Sequence, residues 1–129
     1  MFIDYPNFSK LVGYDCKNKE KPLYLLEDVQ IKIISDETKI VIIPKGFTSD
    51  GCTLKTKILK AIFGCEHTPE YVPASIVHDN FCTNKEFFQR EEATEVFKIM
   101  LISEGVELKK AKRMAFWMNL YQKYIKGWK

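Results

Sequence analysis

Val29-Gln-Ile-Lys-Ile-Ile34-Ser-Asp-Glu-Thr-Lys39-Ile40-Val-Ile-Ile43-Pro44 is the stretch on which the fold class turns. β-branched residues dominate both flanks, and in the first they alternate with Gln30 and Lys32, the pattern of a strand with one face in a core. Ser35 to Lys39 is a polar turn, and Pro44 ends the second run because proline cannot donate to a ladder. A hairpin is therefore expected over 29–43, with Leu23-Tyr-Leu-Leu26 as strand before it.

Past Pro44 the hydrophobic period changes. Lys45-Gly-Phe-Thr-Ser-Asp50-Gly51-Cys52-Thr53 reads as a loop whose Asp-Gly step favours a tight turn. Leu54 to Phe63 is a short helix stopped by Gly64. Pro73-Ala-Ser-Ile-Val-His78-Asp79-Asn-Phe-Cys82 is a second helix, since proline is tolerated at the first position where its missing N–H would go unbonded, and Thr83-Asn84 break it. Glu86 to Glu104 places Phe87, Arg90, Thr94, Phe97 and Leu101 near one face, with Gly105 as cap. Glu107 to Lys126 repeats the pattern with Leu108, Ala111, Ala115, Met118, Tyr121 and Ile125, and Gly127 closes it.

These elements define an α+β fold: an N-terminal β-hairpin or small antiparallel sheet packed on a C-terminal group of three to four helices. No repeat or linker divides the 129 residues, so one domain is expected, with an N-terminal segment over 1–21, strands and the Asp-Gly loop over 22–53 and helices over 54–129. Composition at 46% apolar and 29% charged is globular, and no apolar run is long enough to span a bilayer. The start lacks the basic-then-apolar layout of a signal peptide, so secretion by that route is not expected. Cys16, Cys52, Cys65 and Cys82 are irregularly spaced and are expected as free thiols.

The net charge of +3 is concentrated in the last segment, at Lys109, Lys110, Lys112, Arg113, Lys123, Lys126 and Lys129. Lysines on the outward face of a terminal helix are ordinary surface chemistry, and there is no strong nucleic-acid signal. Phe116, Trp117, Tyr121, Tyr124 and Trp128 are read mainly as helix-packing rings rather than a stacking or membrane surface.

Chemistry concentrates around His78 and Asp79. At about 3.6 residues per turn, Ala74, Val77, His78 and Phe81 share a face, so His78 points to the interior or a cleft edge. An imidazole beside a carboxylate suits acid/base or metal work, and it equally suits a buried histidine beside a structural aspartate. Arg90 lies on an apolar stripe where its guanidinium needs an inward acceptor, and Asp79 on the preceding helix is a natural bidentate partner. Asp50, a turn carboxylate near glycine, forms with Asp79 a candidate pair for a hard divalent metal, or else bonds its own backbone. Cys65, His67, His78 and Cys82 offer a zinc set, though without the usual spacing.

The segments IPKGFTSDGCT, PASIVHDNFC, QREEATEVFKIML and the terminal GWK, in this order, resemble a small phage and prophage family catalogued only as domain of unknown function 1353. The resemblance covers residues 28 to 129 and is carried by Gly46, Phe47, Asp50, Gly51, His78, Asp79, Arg90, Ala93, Phe97 and Trp128. The chain departs from the pattern at Cys52-Thr53, at Lys55 where proline is expected, and at Thr94 where the family has a second aspartate, for which Glu95 is a neighbouring substitute. The resemblance implies viral origin, with the host cytoplasm or the virion as location, and a shared polar cluster. It supplies no reaction.

Two functions fit this reading. One is a phage- or prophage-encoded accessory protein acting as a metal-dependent hydrolase: Asp50 and Asp79 hold a divalent metal, His78 activates water, and Arg90 orients Asp79 or binds an anionic group. The other is a non-enzymatic virion, tail-assembly or host-interaction protein, with virion or host proteins as partners and the His/Asp/Arg cluster as a brace.

Overall fold

The structure, a computed structural model, describes residues 1–14, 23–49 and 69–124. The fold is α+β. Strands β1 (Phe2–Asp4), β2 (Val12–Tyr14), β3 (Leu23–Leu25), β4 (Val29–Ile34), β5 (Lys39–Ile43) and β6 (Thr48–Ser49) precede helices α1 (Val72–Thr83), α2 (Arg90–Ser103) and α3 (Leu108–Tyr124). Asp50, the expected helix over 54–63, and Cys16, Cys52, Cys65, His67, Ile125 and Trp128 lie outside the described residues.

The expected hairpin forms, with Val29 opposite Ile43 and Ile31 opposite Val41. Val29, Ile31 and Ile33 are buried while Gln30 and Ile34 face out, the alternation of a strand packed on one side. Two features exceed the expectation. The segment before residue 22 contributes strands, β1 pairing antiparallel with β4 and β2 with β3. The strands also divide into two three-stranded sheets, ordered β1-β4-β5 and β2-β3-β6, so β3 leaves the hairpin and joins a different sheet.

Helix α1 is buried on most of its circumference: Ser75, Ile76 and Asn80 are covered as well as Ala74, Val77, His78 and Phe81. Packing against α2 on one side and β6 on another accounts for this, and a helix covered on several sides has little amphipathic contrast to display. Helix α2 begins at Arg90, four residues later than the spacing predicts. Residues 84–87 form a turn, Phe87 is 74% exposed, and Phe88 takes the inward place by stacking on Phe81 at 4.1 Å between centroids. Leu108 is likewise exposed, with Val106 buried instead.

The end of α2 is fixed as the sequence indicates. Gly105 adopts φ 98°, its N–H bonds Ile102 O at 3.0 Å, and Val106 N–H bonds Leu101 O at 3.0 Å. This paired closure requires the left-handed residue that glycine supplies without a Cβ penalty, and it swings Val106 into the core beside α2. Ala111, Met114, Ala115, Met118 and Tyr121 form the buried stripe of α3 against α2.

Candidate functional site

His78 sits in the middle of α1 and is 2% exposed. Its ring meets Phe97 of α2 edge-on at 5.3 Å, and Sγ of Cys82, one turn along the same helix, lies 3.5 Å from Nδ1. A thiol donating to Nδ1 leaves the imidazole's own proton on Nε2. Burial pushes the His78 pKa down to about 4, so the ring is neutral at pH 7. The Cys82 side chain is half-buried.

Asp79 points a step round the helix, toward β6, where it accepts a 2.5 Å hydrogen bond at Oδ2 from the hydroxyl of Ser49. Ser49 is 1% exposed and is set in place by pairing opposite Leu23. A hydroxyl donating to a carboxylate is a charge-assisted bond, short for that reason. The second carboxylate expected for a metal, Asp50, is the residue after Ser49 and lies outside the described residues. Among the described residues no group of three or more His, Cys, Asp and Glu side chains is placed to hold a metal ion.

Arg90 takes a different course from the one its stripe predicts. Its guanidinium goes to α3, Nη1 donating to Asn119 Oδ1 at 2.5 Å, and Nη2 donates to Glu91 Oε1 at 3.1 Å. Asp79 is not its acceptor: the ion pairs among the described residues are Arg90–Glu91, Lys39–Glu92 and Lys98–Glu95. The physical reason is position. Arg90 opens α2 facing α3, whereas Asp79 faces β6 on the other side of α1. Thr94, standing where the resemblance places an aspartate, donates to Arg90 O at 2.8 Å and lies 3.2 Å from Asn119 Oδ1. Glu95 pairs with Lys98 at 3.0 Å.

The structure thus brings Asp79 to Ser49, His78 to Cys82 and Phe97, and Arg90 to Asn119, in three separate pairings about α1 and α2. Ser49 and Asn119 are absent from the sequence-based candidates. Asn119 had a weak signal: it is half-buried and borders the apolar stripe of α3 that the buried Gln122 interrupts, and a polar residue there needs a partner. Ser49 had none, since a serine beside an Asp-Gly step reads as turn chemistry.

A cleft of about 320 Å³ opens elsewhere, between the N-terminal segment and the start of α1, lined by Phe8, Val12, Val72, Pro73, Glu70 and Glu104. Tyr5 donates to Glu104 Oε2 at 2.9 Å near it, and burial together with that carboxylate raises the phenol pKa. His78, Asp79 and Arg90 do not line this cleft. On the basic helix, Lys110 lies over the Tyr71 ring at 5.2 Å, and no described helix is long and apolar enough to cross a membrane.

An α+β chain with a buried His-Asp helix between a small sheet and two further helices is the class defined so far. A family model described as protein of unknown function (DUF1353) matches residues 24–119, and the chain belongs to that family. No curated protein and no solved structure matches it.

Proposed function

We propose that the protein is a phage- or prophage-encoded accessory protein that acts through assembly or host interaction rather than catalysis, its His/Asp/Arg residues bracing the helices. The viral setting is what the resemblance implies. The observation that supports a non-catalytic role is the burial of His78: an imidazole 2% exposed, held between Phe97 and Cys82 and kept from protonating down to about pH 4, is poorly suited to meeting a substrate or accepting a proton near neutral pH. Arg90, bonded to α3, adds a second brace.

The test is complementation. A genome lacking the gene is supplied with His78→Gln, a variant first shown by circular dichroism and thermal unfolding to be folded. Full restoration of viral growth agrees with the bracing role. Loss of growth with a folded variant overturns it.

One observation favours the hydrolase as a second reading. Asp79 is half-buried and oriented by a buried hydroxyl, the arrangement of a carboxylate held for a ligand. In that reading Asp79 and Asp50 hold a divalent metal, and His78 stays neutral as a support to α1. Metal-dependent turnover lost in Asp79→Asn would establish it.

A further inference from the structure

Helix α3 carries one sign of charge. It holds Lys109, Lys110, Lys112, Arg113 and Lys123 and no acidic residue. None of these belongs to the ion pairs of the described residues, whose cations are Lys39, Arg90 and Lys98. Lys110 and Lys123 lie over the Tyr71 and Tyr124 rings at 5.2 Å, contacts that leave their charge uncancelled.

Apolar groups share the solvent side of this helix. Ala111, Met114 and Met118 turn into the core against α2, so at about 3.6 residues per turn Lys109, Lys112, Arg113, Phe116, Leu120 and Lys123 lie on the opposite side. Leu120 is half-buried and the others are exposed. Phe116 stands 56% exposed, with an edge contact to the neighbouring Trp117 at 5.5 Å between centroids. The expectation that these rings serve helix packing therefore holds for Tyr121, 9% exposed, and fails for Phe116 and for Tyr124, 68% exposed at the helix end. Along the outward face, Lys109, Lys112 and Arg113 come first, Phe116 and Leu120 follow one turn apart, and Lys123 comes last.

This pattern defines the chemistry of a partner. Uncancelled cations attract an anionic surface. A nucleic acid is the poorer fit: leucine does not stack on bases, lysine outnumbers the arginine that pairs bidentately with phosphate, and the outer side of a helix has no groove to track a strand. An anionic bilayer takes both kinds of side chain, because lysine stems reach to the headgroups while phenylalanine and leucine enter the acyl boundary.

We infer that the outward face of α3 binds the surface of an anionic lipid bilayer, with Phe116 and Leu120 entering the acyl boundary and Lys109, Lys112, Arg113 and Lys123 meeting lipid phosphates. At about 1.5 Å per residue the helix lays about 25 Å of this face along the interface. It lies on the bilayer and not through it, since no described helix is long and apolar enough to cross. The inference goes beyond the accessory role and is independent of it, because neither the brace nor the hydrolase uses these residues.

Co-sedimentation of the full chain with vesicles at physiological ionic strength tests it, each variant being shown by circular dichroism to be folded. Binding is expected to vesicles of phosphatidylcholine and phosphatidylglycerol in equal parts, and not to phosphatidylcholine alone. Lys112→Gln with Arg113→Gln should weaken binding at least about tenfold, since each cation near an anionic surface contributes about fivefold. Lys10→Gln with Lys45→Gln, the same change in net charge at exposed positions outside α3, should leave it within about twofold. Phe116→Ser removes no charge and should weaken it at least about fivefold. Absence of binding to the mixed vesicles overturns the inference. Binding that Phe116→Ser leaves unchanged, or that both double variants weaken alike, also overturns it, because the contact is then bulk charge. Retention of an RNA or DNA oligonucleotide without vesicle binding overturns it as well and gives the face to a phosphate backbone.

Discussion

Arg90 of α2 and Asn119 of α3 are joined by a 2.5 Å hydrogen bond from a guanidinium that is almost wholly covered to a neutral amide oxygen. Arg90 Nε is buried and has no hydrogen-bond partner among the described residues, so the charge depends heavily on Asn119. Removing the acceptor leaves the covered Nη1 unsatisfied and the cation with the exposed Glu91 alone, whereas removing the cation leaves an amide that Thr94 still reaches. Asn119→Ala is expected to cost roughly 2–3 kcal/mol, and Arg90→Met at least about 1 kcal/mol less, by urea unfolding. Equal costs would show that the bond does not carry the charge.

His78 gives a pH dependence whose sign follows from burial. Its folded-state pKa is about 4 against 6.5 for the free side chain, so between those values the unfolded chain takes up a proton that the folded chain refuses. Stability is therefore complete above pH 6.5, falls as the pH falls through the window, and levels off below pH 4. Between pH 6.5 and about 5 the loss is about 1.5 kcal/mol. Urea midpoints measured across this interval should shift in the wild type and stay nearly level in His78→Gln.

Helices and the hairpin were legible because each rests on local chemistry. Gly105 closes α2, and Val29 to Ile43 alternate and turn as a hairpin must. Legibility fails where an element depends on distant partners. Phe2–Asp4 and Thr48–Ser49 are too short to show a period and become strands only by pairing with β4 and β3. The same limit governs the site. The burial of His78 follows from its place on a helix face, but the choice of Asn119 over Asp79 as acceptor for Arg90 is set by how α1, α2 and α3 cross, which no spacing reveals.

Tyr5 ties the N-terminal segment to the end of α2 through its 2.9 Å bond to Glu104 Oε2. A hydroxyl bonded to a carboxylate in a half-buried place contributes more than a surface bond, and the ring's packing is unchanged in phenylalanine. Tyr5→Phe should lose roughly 1–2 kcal/mol, and hydrogen exchange at β1, which pairs with β4 immediately before Tyr5, should quicken. An unchanged midpoint would mean that Glu104 finds water as readily as the phenol.

Ser49 and Asp79 are the pair on which the hydrolase and the brace part company. Their 2.5 Å bond is charge-assisted, so its energy resides in the coupling of the two residues rather than in either alone. A cycle of Ser49→Ala, Asp79→Asn and the double variant should give a coupling near 1 kcal/mol in the absence of added metal. Repeating the cycle in millimolar Mg²⁺ or Mn²⁺ separates the functions. A cation bound at Asp79 stabilises the folded state in proportion to its occupancy, raising the midpoint of the wild type and not that of Asp79→Asn. For the assembly protein the expected outcome is the same coupling and the same midpoints with or without the cation. A rise confined to chains that keep Asp79 would move the protein to the hydrolase class and make Ser49 the residue that aims the carboxylate.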